Sequence, residues 1–252
     1  MVILEVIMDH VSESSRRNFL RMVGAAGCGF TLAACLSTDP QSATGKVFAQ
    51  AAAGKVMADV EEVLPVEDLM REHGVLRRLL LIYGEATRRL EGGQGLDPAV
   101  VSGAAGIIRR FIQDYHEKLE EDYLFPHFEK AGKLVDLVRT LKEQHEAGRR
   151  VTATVLGLAS PASLAGETNR KALALQLRKF IRMYEPHAAR EDTVLFPAFR
   201  SVITPKQYDA YGDLFESTEH QLFGPTGFED IVGQVADLEK SLGIYELSQF
   251  TP

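Results

Sequence analysis

The sequence predicts an all-α protein, an up-down-up-down four-helix bundle with two additional C-terminal helices, and three observations lead there. Ala, Leu, Glu, Arg and Lys dominate a chain of 252 residues that is 45% hydrophobic and contains no Trp. These are the residues that long helices favour. Start and stop signals cut the chain into helical segments of about 25–35 residues joined by short connections, which makes neighbours antiparallel. No alternating apolar pattern argues for strands.

Each helix has its own punctuation. Pro65 suits a first turn, and the helix it opens runs to about Leu90, where Glu91-Gly92-Gly93 ends it. Asp97-Pro98 is an N-cap followed by a first-turn proline, opening a second helix to about Lys130, with Gly132 marking its end. The third spans about Lys133 to Leu158 and stops at Ser160-Pro161. The fourth spans about Thr168 to Val202. Thr204-Pro205 opens a shorter helix to about Leu222, and Gly224-Pro225 separates it from a last one, Gly227 to Leu242. These last two would pack outside the bundle. The domain boundaries follow: an N-terminal segment over residues 1–51, the bundle over 60–202 and a helical extension over 203–252.

Charge and cysteine usage exclude several functions. Net charge is −7, with no strongly basic block beyond one N-terminal arginine pair, so nucleic acid is not an expected partner. The two cysteines, Cys28 and Cys35, precede the bundle. The rest of the chain therefore has no disulfide framework, thiolate metal site or cysteine nucleophile. No phosphate-binding loop or nucleotide fingerprint occurs. Metal chemistry would have to use histidines and carboxylates.

The N-terminal segment reads as an address. Ser15-Arg16-Arg17-Asn18-Phe19-Leu20-Arg21 resembles the twin-arginine export signal, and an uncharged stretch rich in Gly and Ala follows from Met22 to Thr38. That stretch is short and weakly apolar for a membrane span but suits a signal peptide. Two endings stay open. Leu32-Ala33-Ala34-Cys35 looks like a lipobox that would place a lipid on Cys35, and Ala49-Gln50-Ala51 is an A-x-A cleavage site that would release the protein. Met8 is an alternative start. The resemblance implies a periplasmic or exported protein, handed folded to the twin-arginine translocation machinery. Its contact with membrane would be through the signal or the lipid alone.

The bundle contains an internal repeat. His116-Glu117-Lys118-Leu119-Glu120-Glu121-Asp122-Tyr123-Leu124-Phe125-Pro126 aligns with His187-Ala188-Ala189-Arg190-Glu191-Asp192-Thr193-Val194-Leu195-Phe196-Pro197, both reading His-x-x-x-Glu-acid-x-x-Leu-Phe-Pro. Likewise Leu69-x-x-x-His73-x-x-x-Arg77-Arg78 aligns with Leu141-x-x-x-His145-x-x-x-Arg149-Arg150. Helices one and two thus recur as helices three and four. A residue and its neighbour four further on share one helix face, about 5–6 Å apart, so each His-x-x-x-Glu pair can reach a common point. A carboxylate can bridge two cations and an imidazole offers one nitrogen. Two such pairs plus His73 and His145 give four nitrogens and two bridging carboxylates, a set suited to iron, manganese or zinc rather than calcium or magnesium.

On these motifs the chain resembles the hemerythrin-like, cation-binding HHE domain over about residues 60–202. The resemblance implies a pair of iron ions with an oxo, hydroxo or water bridge. His73 and His116 would bind one ion, His145 and His187 the other, and Glu120 and Glu191 would bridge both. It further implies binding, sensing or storage of dioxygen, nitric oxide or iron. A di-iron enzyme handling peroxide or nitric oxide, or a donor of iron to damaged centres, is the alternative. The pattern departs from that of the family's oxygen carriers. Arg149 stands where they have a further histidine, and Glu191 follows His187 by four residues where they have Asp after five. The set is closer to repair and sensing members, some of which use an acid at the place of Glu117. Ferritin-like bundles use Glu-x-x-His instead, the opposite order.

Other residues receive structural expectations. His127 lies three turns, about 16 Å, beyond His116, too far to share its site. His220 is expected at the surface. Tyr115, Tyr123 and Tyr184 lie near the ligand turns and are expected to pack in the core, the alternative being that one of them hydrogen-bonds a ligand or a metal-bound oxygen; the Leu-Phe-Pro triplets are expected to pack and bend their helices. Pro186 could kink the fourth helix. The two arginine pairs would face solvent or pair with the acids.

Overall fold

The computed structural model describes residues 64–252, which are all-helical and contain no strand. The arginine pair, Cys35 and the A-x-A site lie outside the described residues. Helix α1 is Pro65–Glu91. Helix α2 covers residues 98–131 as one continuous run of changing pitch: α-helical Pro98–Ile107, π-helical Ile108–His116, α-helical Glu117–Leu119, π-helical Glu120–Leu124 and α-helical Phe125–Ala131. Helix α3 is Val135–Leu158. After the single turn Pro161–Leu164, helix α4 covers residues 167–199, with a π-turn at Glu191–Leu195 between Glu167–Arg190 and Phe196–Phe199. Helices α5, Pro205–Phe223, and α6, Gly227–Leu242, complete the fold.

Local chemistry explains the boundaries. Asp97 accepts from the Ala99 amide at 2.9 Å, and Thr204 with Gln207 forms a capping box. At Gly132 (φ 63°) the Lys133 amide reaches Phe128 O and the Gly132 amide reaches Glu129 O, a Schellman ending that positive φ makes possible. The third helix begins two residues later than the sequence suggested, because Leu134 stands left-handed (φ 52°) as its N-cap.

The two π-turns near the middle of the molecule share one cause. Each ends at a Phe immediately before a proline, Pro126 or Pro197, and the Phe amide bonds five residues back, to Glu120 O or Glu191 O. A proline ring clashes with the carbonyl four residues before it, and a wider turn relieves that clash. The widened turn therefore belongs to the Leu-Phe-Pro triplets. Pro186 lies inside the α-helical segment that continues to Arg190, and the departure from α geometry comes at Glu191.

Helix α1 packs on α4, α3 packs on α4, and α2 packs between α1 and α3. Helix α6 lies across α1 and the start of α2, and α5 lies on α6 and α1. The core includes Leu69, Leu76, Tyr83, Phe111, Phe125, Leu177, Phe180 and Phe196, all nearly inaccessible. The C-terminal pair is held by Phe215, Ile231, Val235 and Leu242 and by a two-pronged ion pair from Arg78 to Glu239, at 3.0 and 2.5 Å. Among the described residues no helix is long and apolar enough to cross a membrane.

Candidate metal centre

All six residues singled out in the sequence meet at the centre of the bundle, and all six are buried. His73 comes from α1, His116 and Glu120 from α2, His145 from α3, and His187 and Glu191 from α4. The imidazoles form two pairs. Nε2 of His73 lies 3.1 Å from Nε2 of His116, and Nε2 of His145 lies 3.2 Å from Nε2 of His187. Each carboxylate touches both pairs. Glu191 lies 3.3 Å from His73 and 3.1 Å from His187, while Glu120 lies 3.8 Å from His116 and 3.4 Å from His145. Ligand atoms of His73, His116 and Glu120, and of His145, His187 and Glu191, fall in two groups whose members lie within 4.8 Å of one another.

The other ring nitrogens are all committed. Nδ1 of His73 donates to Asp192 at 2.6 Å, His116 to Glu72 at 2.7 Å, His145 to Glu121 at 3.0 Å and His187 to Gln144 at 2.8 Å. An acceptor at Nδ1 fixes the proton there and turns the Nε2 lone pair inward. Four lone pairs and two carboxylates then converge without a donor among them. Both oxygens of Glu120 and both of Glu191 are buried without a hydrogen-bond partner. Uncompensated buried carboxylates cost several kcal/mol each, roughly, unless a cation or proton answers them. A proton on one imidazole would leave most of these oxygens unanswered, whereas two cations of the iron or zinc class would satisfy the whole set. The donor set therefore fits a metal pair.

Ionisation behaviour shows the same crowding. Burial, then the charge of Glu191, pushes the Glu120 carboxyl well up. For Glu191 burial acts upward too, but His187 and His73 beside it outweigh that and hold it well below the ordinary range. Burial and the neighbouring His73 hold His116 well down. Burial also works against charge on His73, yet its bond to Asp192 and the charge of Glu191 beside it leave it raised.

A further ring of residues supports these six. Arg77 pairs with Asp192, and Arg149 pairs with Glu121 at 2.6 Å, so each repeated arginine steadies the acid that orients a histidine. The phenylalanines of the two triplets are walls of the site. Phe196 stacks on His73 at 5.4 Å and Phe125 on His145 at 5.6 Å. Glu117 is buried, accepts from the Tyr184 hydroxyl at 2.6 Å and lies 3.0 Å from Arg149. Tyr184 thus does more than pack: among the three tyrosines near the ligand turns it is the one that hydrogen-bonds beside the centre, to Glu117 rather than to one of the six. Its ring also lies 5.2 Å from His187. The Tyr184 hydroxyl fits only because residue 148 is glycine, where an added Cβ would come within 2.0 Å of it.

The roles of Glu72, Gln144, Glu121 and Asp192 were also unassigned from sequence. A signal was present, since each adjoins a ligand and recurs with the repeat, as Glu72-His73 against Gln144-His145 and Glu120-Glu121 against Glu191-Asp192. The plainer expectations hold for most other residues. His127 bonds Tyr211 at 2.7 Å, tying α2 to α5, and Tyr115 and Tyr123 pack on Phe223 and Phe215. His220 is half-buried on α5 rather than at the open surface.

Comparison with known proteins agrees with this geometry. The family described as hemerythrin HHE cation binding domain matches residues 64–199. An uncharacterized protein of Mycobacterium bovis and two of Mycobacterium tuberculosis strains are each 45% identical over 240 residues, covering 94% of this chain and 91% of the relative. No solved structure gives a significant match. The chain therefore belongs to the hemerythrin HHE cation-binding domain family.

Proposed function

We propose that the protein is an exported non-haem di-iron protein that binds a small ligand such as dioxygen or nitric oxide, or holds iron itself. The observation that carries this reading is the pairing at the centre: two imidazole pairs, each in reach of both carboxylates, with every Nδ1 committed elsewhere. His73 and His116 would hold one ion, His145 and His187 the other, with Glu120 and Glu191 bridging. A bound iron pair supplies open coordination and one-electron chemistry to such a ligand. The chain's own residues do the rest. Asp192, Glu72, Glu121 and Gln144 aim the imidazoles, and Phe196, Phe125 and the surrounding core exclude bulk water.

A small ligand would approach from the α1–α4 side, where a groove of about 550 Å³ is lined by Arg77, Leu80, Tyr184, Ala188, Ile244 and Phe250. Arg77 and Tyr184 in turn contact Asp192 and Glu117, which adjoin the ligands. The up-down-up-down order belongs to the same proposal and is supported by short connections at residues 92–97, 132–134 and 159–166. Export through the twin-arginine route, to the periplasm or to a lipid anchor at Cys35, rests on the sequence motif alone.

The test is metal content and the visible spectrum of the full chain reconstituted with ferrous iron, beside His116→Ala and Glu191→Ala. The reading expects about two irons per chain and oxo-bridged charge-transfer bands in the parent, with both largely lost in either variant. Equal iron in all three would sink it. Turnover of peroxide or nitric oxide is a second reading. It draws on the buried Tyr184–Glu117 pair, which can hold a proton beside the centre. Steady-state consumption of either substrate would favour it over stoichiometric binding.

A further inference from the structure

The two halves of the bundle give their histidines outer partners of unequal charge. His73 and His116 both donate to carboxylates, Asp192 and Glu72. In the second pair His145 donates to the carboxylate of Glu121, but His187 donates to the neutral amide oxygen of Gln144. The remaining partners are alike in kind. Both are carboxylates steadied by cations, Asp192 by Arg77 and Glu121 by Arg149 and Lys118. Glu72 and Gln144 hold the same place in the repeat, one residue before His73 and His145. The asymmetry in kind is therefore one carboxylate against one amide at equivalent positions.

A carboxylate accepting from Nδ1 pulls the ring towards imidazolate and strengthens Nε2 as a donor to metal, and an amide does so less. Burial enlarges the difference, since a charge acts further in a poorly polarisable interior; Glu72 is fully buried. Glu120 and Glu191 cannot even it out, because each touches one histidine of each pair.

We propose that the two metal positions are unequal: the one between His73 and His116 retains its ion, and the one between His145 and His187 exchanges it, with Glu72 and Gln144 as the residues that set the difference. This rests on the reading of the centre as a two-metal site. It makes a singly loaded protein a stable species and the second ion the one gained last and lost first.

The test titrates the metal-free full chain with zinc against a competing chelator. The parent should show two affinity classes. Gln144→Glu should strengthen the weaker class by about 10–100-fold and bring the two together, the usual size of an outer-partner effect on metal affinity. Glu72→Gln should weaken the tighter class by a similar factor. Repulsion between two ions would also split the classes, but that splitting would survive both substitutions. Circular dichroism of each metal-free variant checks folding. If Glu72→Gln does not fold, Gln144→Glu, at a half-buried position, decides alone. A single class in the parent, or two classes unmoved by Gln144→Glu, overturns the proposal. Absence of any zinc binding would remove the two-metal reading, and this inference with it.

Discussion

Gly148 shows how narrowly the centre is fitted. The Tyr184 hydroxyl occupies the space a side chain there would need and reaches Glu117 from it. Gly148→Ala should cost about 1–3 kcal/mol of stability through overpacking and should break the Tyr184–Glu117 bond. Urea unfolding measures the first effect, and a changed tyrosine absorbance titration reports the second. A fully stable variant would show that Tyr184 can move aside freely. A second residue isolates the acid limb of stability from the metal site. The Arg88 bond holds the Glu85 carboxyl at about 2 against an ordinary 4.5, with burial opposing and Arg89 assisting. Its depressed value means the stabilisation is complete above about pH 4.5 and is lost as pH falls towards 2. Glu85→Gln in metal-free protein should therefore flatten the stability curve in that window by under about 1 kcal/mol, as exposed pairs contribute little. An unchanged slope between the two proteins would count against it. The six candidate ligands were legible because two His-x-x-x-Glu pairs and two lone histidines recur at nearly one offset, and surface ion pairing alone imposes no such repeat. Tyr184 was legible only as one of three tyrosines near the ligand turns, because packing is the commoner role there and nothing in its neighbours announces Glu117 across the bundle.

At the scale of elements, the π-turns decide where the carboxylates of Glu120 and Glu191 stand. Glu120 and Glu191 each open a π-turn, and the proline that widens the turn lies six residues on. Replacing Pro126 or Pro197 by Ala lets the helix tighten towards α geometry and rotates the glutamate away from its histidines. The expectation is a metal affinity lower by about 10-fold or more with metal-free stability unchanged or higher, since proline inside a helix is unfavourable. Chelator competition and thermal unfolding of the same samples measure the two quantities. Parallel loss of both would mean that the proline serves packing alone. The sequence showed these helices through their caps, and the first-turn prolines placed three of the six helix starts. It did not show the π-turns. Periodicity of apolar residues reports a helix face, and one extra residue in a turn shifts that face too little to notice over a single triplet. The left-handed Leu134 was hidden likewise, as leucine carries no signal for positive φ.

For the molecule as a whole, the proposed metal pair would make metal binding and folding one equilibrium. Without ions Glu120 and Glu191 are buried and unanswered, with four inward lone pairs beside them. The metal-free protein should melt earlier than the loaded one, and each site held at free metal 100-fold above its Kd should add about 2.7 kcal/mol. Calorimetry with and without a chelator measures this, and coincident transitions would contradict it. The bundle was legible from four long segments and their short links. The seat of α5 and α6 was not, because residues such as Phe215 and Val235 mark a buried face without naming what buries it.

The histidine pairing carries one consequence for the chain's history and for its dissection. The hairpin α1–α2 owns both histidines of the first pair, and the hairpin α3–α4 owns both of the second. Each hairpin borrows across the interface: Glu191 and Asp192 reach back to His73, and Glu120 and Glu121 reach forward to His145. Such reciprocity is what two copies of one ancestral hairpin would build by clasping each other around a pair of ions. A chain nicked between the hairpins, in the connection at residues 132–134, should then behave as two complementary fragments, apart without metal and rejoined by it.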